Sequence, residues 1–236
     1  MTRRRWIADT ANENTASLTG DQAAHLSRVL RAEPGQIFDV VANGFLHRAE
    51  ILTVSSHEVV FALHEELEAE AALPVHLLLA VFKFDRLEWG IEKATELGAA
   101  RITPVLARRT EKHLAQAAAK RVERWRRIVL EAAQQSRRSD VPQVDDPLTL
   151  KDALQLVTAP TKILLAETEQ HNTIATALNS RKDQDAAIAI GPEGGWVPEE
   201  MQLFTDHGWQ HVTLGPRILR AETAAIAALS ICSALL

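Results

Sequence analysis

Residues Ala186–Glu200 read Ala-Ala-Ile-Ala-Ile-Gly-Pro-Glu-Gly-Gly-Trp-Val-Pro-Glu-Glu, and this stretch decides the architecture. Five apolar residues of strand character empty into a loop holding Gly191, Pro192, Gly194 and Gly195, and a helical pattern opens at Pro198. Residues 213–224, Thr-Leu-Gly-Pro-Arg-Ile-Leu-Arg-Ala-Glu-Thr-Ala, repeat the plan. Two strand-loop-helix units side by side point to an open, mostly parallel α/β sheet, whose ligand crevice lies outside the carboxyl ends of its strands.

Glycines at 191, 194 and 195 predict a loop whose backbone takes positive φ and approaches a ligand closely, with Pro192 stiffening the turn. A phosphate is disfavoured. No Gly-Lys-Ser/Thr follows the glycines, the G-x-G-x-x-G spacing is absent, and Glu193 adds a negative charge.

Working outward, the apolar runs His76–Phe82, Arg101–Leu106, Lys162–Ala166 and His211–Leu214 supply further strands. Helical spacing predicts helices over Asp85–Leu97, Leu114–Gln135, Thr173–Leu178, Pro198–His207 and Ala221–Leu235. On the long one Val122, Trp125 and Val129 face inward and the arginines outward. The first 70 residues read differently. A helical patch at Asp21–Leu30 precedes the turn Glu33-Pro34-Gly35, then strands at Gln36–Ala42, Phe45–Val54 and Glu58–Leu63, the first two joined by Asn43-Gly44. A small β-barrel is the natural closure. The acidic run from Glu65 to Ala72 ends before Pro74 and is taken as a connector, which gives domains at 1–70 and 74–236.

The chain of 236 residues is 46% hydrophobic and 24% charged, ordinary for a globular protein. No run is long enough to span a bilayer as a helix, and no apolar h-region follows the basic Met1–Trp6, so neither membrane insertion nor a secretory signal is expected. The single cysteine, Cys232, sits in an apolar helix and suits a reducing, cytoplasmic setting as a buried thiol. A net charge of −5 argues against wholesale nucleic-acid binding, yet Arg101–Arg138 carries eleven Lys/Arg against three Glu. That segment can meet an anion. His207 and His211 lack further ligands, so no metal is expected.

Lys83 lies at the carboxyl end of a strand, and Arg220 opens an otherwise apolar helix, so both point to the crevice; Glu222 fits either a cap interaction or a catalytic role. Arg86, Lys93 and Glu96 read as surface pairs of little energetic weight.

The two Gly-Pro loops together resemble those of the SPOUT superfamily of knotted methyltransferases, and specifically the bacterial ribosomal small-subunit RNA uridine-N3 methyltransferase family. Lys83–Pro104, Arg124–Arg138 and His25–Arg31 with Pro34-Gly35 extend the resemblance over nearly the whole chain. Val197-Pro198 departs from the Ser or Thr usual after the loop aromatic, and Arg3-Arg4-Arg5 from the single arginine usual before an aromatic. The resemblance implies a PUA-like RNA-binding barrel followed by a SPOUT domain with a trefoil knot, working as a homodimer on ribosomal RNA in a 30S particle. It implies S-adenosylmethionine as cofactor, held by Leu165, Gly191, Pro192, Glu193, Gly194, Gly195, Leu214, Gly215, Ile218, Leu219, Arg220 and Ala221. Arg220, Glu222 and Lys83 become the candidates for catalysis, and Arg5, Arg28, Arg31, Arg108, Arg109 and Arg138 for RNA phosphates. Trp6 and Trp196 are either stacking platforms for the target base or core residues. The rival readings are a related enzyme acting on a ribose 2′-hydroxyl or on transfer RNA, and a non-catalytic RNA-binding assembly factor.

Overall fold

The structure, a computed structural model, describes residues 5–179 and 184–236. Arg3 and Arg4 lie outside them. The chain divides into two compact units: one runs to Ala71 and takes in Ala133–Val141, and the other comprises Ala72–Ala132 and Pro142–Leu236.

In the first unit the strands are Trp6–Ile7 (β1), Thr10–Ala11 (β2), Thr15–Thr19 (β3), Ile37–Ala42 (β4), Phe45–Val54 (β5) and Glu58–Leu67 (β6). Their order is β1-β4-β5-β6-β3-β2. The two ends of that order are consecutive pieces of one stretch: Ala8 donates to Val41 across one side, and Asp9 donates to Ser17 across the other. The sheet therefore closes on itself as a barrel, which leaves no open edge. Its core is Trp6, Leu18, Leu26, Val40, Ile51, Val59 and Phe61. At the β4–β5 turn Asn43 and Gly44 have φ of 52° and 85°, the two positive angles that a tight hairpin of right-handed twist requires. The segment Gly20–Ala24 (α1) continues into a π-helical turn, His25–Val29, where a single helical patch was expected. The acidic run is corrected too. Glu65, Glu66 and Leu67 belong to β6, where Leu67 pairs with Leu46 and Glu66 with His47, so only residues 68–72 connect.

The second unit follows the alternating plan. Its elements are Leu73–Ala80 (β7), Phe84–Glu96 (α2), Ala99–Leu106 (β8), Lys112–Ala118 (α3), Val122–Gln135 (α4), Gln143–Val144 (β9) and Leu148–Thr149 (β10). Then come Leu150–Gln155 (α5), Thr161–Leu165 (β11), Ile174–Asn179 (α6), Ala186–Ile190 (β12), Pro198–Asp206 (α7), Gln210–Val212 (β13) and Ala221–Leu235 (α8). The long helix expected at Leu114–Gln135 is interrupted by a 3-10 turn at Ala119–Arg121, which separates α3 from α4.

All pairings in this sheet are parallel, in the order β10-β8-β7-β12-β11-β13, with β9 also paired to β8. A parallel sheet is covered on both faces, which is why its central strands read as continuous apolar runs. Every residue of β12 is buried. Period-2 alternation sends Val75, Leu77 and Leu79 into a core with α2, α3, α4, α6 and α8, while Leu78 and Ala80 join a second core with α5 and α7. Trp125 of α4, fully buried, anchors the first; Trp196, Phe204 and Trp209 form a T-stacked series in the second. Gly98, at φ 94°, ends α2 in the left-handed conformation that a Cβ disfavours. Cys232 lies in the first core, and burial pushes its thiol up to about 12.

Candidate functional site

Strand order places the site. The chain passes from β11 to the adjacent β12, then to β13 on the far side of β11, so three loops leave neighbouring carboxyl ends. They surround a cleft of about 1570 Å³. The post-β11 loop contributes Leu165–Gln170, the post-β12 loop Ile190–Trp196, and the post-β13 loop Val212–Ala221. Two of these were legible as glycine-proline loops. The third carries little sequence signal, yet it is well organised: Glu169 Oε1 accepts the N–H groups of Gln170, His171 and Asn172 at 3.0, 2.8 and 2.9 Å. Those donors, Asn172 foremost, hold the Glu169 carboxyl below the usual range. The loop is also stitched to its neighbour, since Thr213 donates from its backbone to the Asn172 carbonyl and Ile174 to that of Thr213, at 2.8 and 3.2 Å.

The glycine-rich loop is shaped by contacts within the protein. The Gly195 N–H closes a turn onto the Pro192 carbonyl at 2.8 Å, with Gly195 at φ 69°. Gly191 lies under the Trp196 indole: a Cβ there would stand 3.0 Å from Nε1. At Gly194 a Cβ would meet Cδ of Arg109 at 3.2 Å. Close ligand approach is therefore not the first demand that fixes glycine at 191 and 194; an indole and an arginine already occupy that side. Trp196 Nε1 is buried and without a hydrogen-bond partner. Val197 offers no acceptor to the start of α7, and Glu200 compensates by accepting the Val197 N–H at 3.0 Å through Oε2 and the Arg108 N–H at 2.8 Å through Oε1.

All twelve residues expected at the cofactor, from Leu165 to Ala221, line this cleft. Arg220 lines it as an exposed residue, whereas Glu222, in the first turn of α8, is only 5% exposed and is not among the lining residues. No residue side chain caps α8, and Glu222 Oε2 is buried without a hydrogen-bond partner, so the capping alternative has no hydrogen bond to rest on. Its Oε1 is 4.0 Å from Nε of Arg86. Arg86 also places Nη1 2.5 Å from Oε1 of Glu193, which ties α2 to the glycine-rich loop. Read as a surface pair, Arg86 is in fact a lining residue. Its partner stands 107 positions away, so spacing gave no signal. Lys83 is exposed at the start of α2 and is not among the lining residues.

The expected phosphate contacts are placed variously. Arg28 and Arg31 are exposed on the first unit, and Arg5 donates to the Arg137 carbonyl there. Arg108 is exposed on the second unit, and Arg109 lines the cleft and donates to the Gly194 carbonyl. The Arg138 side chain is 8% exposed and is gripped by both carboxylate oxygens of Asp140, an arrangement that braces its segment. Of the two readings of the tryptophans the structure has the core one: Trp6 and Trp196 are 2% and 8% exposed, packed into their cores because the large ring faces bury well there. His207 Nδ1 meets the Leu203 carbonyl at 2.8 Å and His211 Nε2 meets Thr205 Oγ1 at 3.2 Å.

The cleft thus offers backbone amides and carbonyls, apolar walls from Leu165, Leu214 and Leu219, carboxylates at Glu167, Glu169 and Glu193, and an exposed cation, Arg220, while Glu222 is buried behind the lining. Such a lining suits a largely neutral, partly aromatic ligand bearing a local positive charge.

Comparison with known proteins agrees in kind. The profile of the RNA methyltransferase domain matches residues 69–233. The ribosomal RNA small subunit methyltransferase E of Synechocystis sp. is 38% identical over 95% of this chain and 74% of its own length. Among solved structures, a methyltransferase of Legionella pneumophila in complex with S-adenosylmethionine superposes with a TM-score of 0.85 at 29% identity, covering 99% of this chain and 98% of that one. The ribosomal RNA small subunit methyltransferase E of Neisseria gonorrhoeae, also bound to S-adenosylmethionine, gives 0.82 at 28% identity over 98% and 97%.

Proposed function

Because the chain belongs to the RNA methyltransferase family, and within it to the ribosomal small-subunit methyltransferase E group, we propose that it methylates N3 of a uridine in small-subunit ribosomal RNA, using S-adenosylmethionine. The observation that carries the reading is the convergence of three strand-end loops on one cleft whose lining combines apolar walls with the carboxylates of Glu167, Glu169 and Glu193.

The residues present fit the cofactor. Leu165, Leu214 and Leu219 would pack against its adenosine, the backbone of Gly191–Gly195 and Gly215 would hydrogen-bond to it, and the carboxylates would favour its sulfonium. When bound, S-adenosylmethionine supplies an electrophilic methyl group. The chain's own task is to prepare the nucleophile. N3 of uracil is nucleophilic only after it loses its proton, and the resulting charge spreads onto the ring carbonyl oxygens. Arg220, exposed at the cleft rim, is the group we assign to stabilise that anion, a contribution on the order of 3 kcal/mol for a well-placed donor. Glu222, with Oε2 unpartnered, is the candidate to receive the proton, and solvent is the other. Lys83, exposed and outside the cleft lining, is given no part in this step.

The barrel unit is proposed as a PUA-like RNA-binding domain, with Arg5, Arg28 and Arg31 meeting phosphates, and Arg108 of the second unit is proposed as a further phosphate contact. We further propose a homodimer acting on a 30S particle in the cytoplasm, with a trefoil knot in the second unit. Among the described residues no helix is long and apolar enough to cross a membrane.

Calorimetric titration with S-adenosylmethionine tests the cofactor, and labelled methyl transfer to small-subunit particles tests the reaction. Arg220→Ala is expected to bind the cofactor normally and to lose about a hundredfold in kcat. A variant with unchanged kcat would remove Arg220 from the chemistry.

A further inference from the structure

The glycine-rich loop is held from outside at two points, and both holds are arginines from other elements. Arg86, on the first turn of α2, brings Nη1 within 2.5 Å of Glu193 Oε1. Arg109, after β8, donates from Nη1 to the Gly194 carbonyl, and its side chain packs against Gly194 where a Cβ would stand 3.2 Å from Cδ.

Neither arginine hangs from a loose support. The turn bearing Arg109 is fixed by the Arg108 N–H on the carboxylate of Glu200, itself 7% exposed, at 2.8 Å. Thr110 Oγ1 adds a bond to the Val81 carbonyl at 2.9 Å and accepts the Ala107 N–H at 3.2 Å. Arg86 rides on α2, whose Gly90 packs closely on Glu222 of α8: a Cβ at that glycine would be 3.7 Å from the Glu222 Cβ. Two rigid elements thus grip consecutive residues of one loop. A loop with glycines at 191, 194 and 195 has a large conformational entropy to lose on binding a ligand, and cross-links made beforehand remove part of that cost.

We propose that Arg86 and Arg109 are positioning residues that hold the glycine-rich loop in its ligand-binding shape, so that they set affinity for S-adenosylmethionine rather than for RNA. The inference rests on the cofactor reading above. It reassigns Arg109, expected from sequence at an RNA phosphate, because its guanidinium is engaged by the Gly194 carbonyl. It also gives Glu193 a second duty, since its carboxylate anchors the loop.

The test measures two affinities on the full chain. Calorimetry with S-adenosylmethionine is run on wild type, Arg86→Gln, Glu193→Gln, their double variant, Arg109→Met and Arg109→Lys. Binding of a small-subunit RNA fragment is followed against salt concentration for wild type and the two Arg109 variants. Arg86→Gln and Arg109→Met are each expected to weaken cofactor binding about fivefold, with urea midpoints near wild type. The Arg86→Gln, Glu193→Gln double variant should be no weaker than the worse single one, because both remove one interaction. Arg109→Lys, which keeps the charge and loses the fork, should remain weakened. The salt slope for RNA should not change in either Arg109 variant.

Normal cofactor affinity in Arg109→Met, with a salt slope lower by about one, would make Arg109 a phosphate contact and overturn its part of the proposal. Additive effects in the Arg86 and Glu193 cycle would overturn the other part. If wild type itself fails to bind S-adenosylmethionine, the cofactor reading falls and the clamp falls with it, an outcome distinct from either.

Discussion

Replacing Gly191 by alanine puts one methyl group into the tightest spot in the loop. The new Cβ would stand 3.0, 3.2 and 3.3 Å from Nε1, Cδ1 and Cε2 of Trp196, so the indole has to move. It has little room to do so. Trp196 is 8% exposed and packs edge-on against Phe204 at 4.9 Å between ring centroids, and Phe204 packs in turn on Trp209 at 5.2 Å. Displacing one ring of a packed series is the overpacking case, which costs about 2 kcal/mol. Urea unfolding should show that loss, and the near-ultraviolet circular dichroism of the tryptophans should change with it. Cofactor affinity should fall as well, because the loop's first residue shifts with the indole. Gly194→Ala is the control for stability, since its Cβ meets only the side chain of Arg109, whose nearest atom, Cδ, is at 3.2 Å and can give way. A Gly191→Ala protein within about 0.5 kcal/mol of wild type, with unchanged tryptophan dichroism, would refute the packing argument.

Three further perturbations have expected outcomes. Trp125→Ala, at a fully buried position in the first core, should cost about 4 kcal/mol in unfolding free energy, measured with urea. Glu200→Ala leaves the backbone N–H groups of Val197 and Arg108 without their carboxylate, and about 2 kcal/mol should be lost in the same assay. His76 is held neutral, its pKa lowered to about 4 by burial and then by the Arg101 charge, against the opposing pull of Asp145. Its Nε2 donates to Thr103 Oγ1 at 2.7 Å, because Thr103 gives its own proton to Asp145. The unfolded chain binds the extra proton between the unfolded value of about 6.5 and the folded value, so stability is complete above that window and falls as pH drops through it. The loss from this one group should reach about 2 kcal/mol, discounted for partial solvent access, and His76→Asn should flatten that part of the stability–pH curve.

What could be read in advance was the local part of the fold. Phe45–Val54, Ala186–Ile190 and Ala221–Leu235 have the bounds that their patterns gave, because an Asn-Gly turn, a glycine-proline loop and an apolar helix carry their own signals. The two-residue strands β1, β2, β9 and β10 are too short for any period, and they exist only because partners offer them an edge. Glu65–Leu67 looked like linker for a related reason: charged residues on the outer face of a barrel strand hide the strand. At the site, the glycines and the Arg220 position were legible, while their physical reasons were not. Trp196 over Gly191, Arg109 on Gly194 and Arg86 on Glu193 are contacts across the fold, and no pattern along the chain announces them. Glu169 was equally silent, since a carboxylate that caps its own loop reads as one more surface charge.

Nucleoside analysis of the RNA product decides whether uridine N3 is the atom that receives the methyl group. Small-subunit particles lacking the modification would be incubated with the protein and methyl-labelled S-adenosylmethionine, and the RNA digested and resolved by mass spectrometry. Label is expected in 3-methyluridine, dependent on Arg220. Label in a 2′-O-methyl nucleoside, or none in any nucleoside although the cofactor binds, would contradict the N3 assignment.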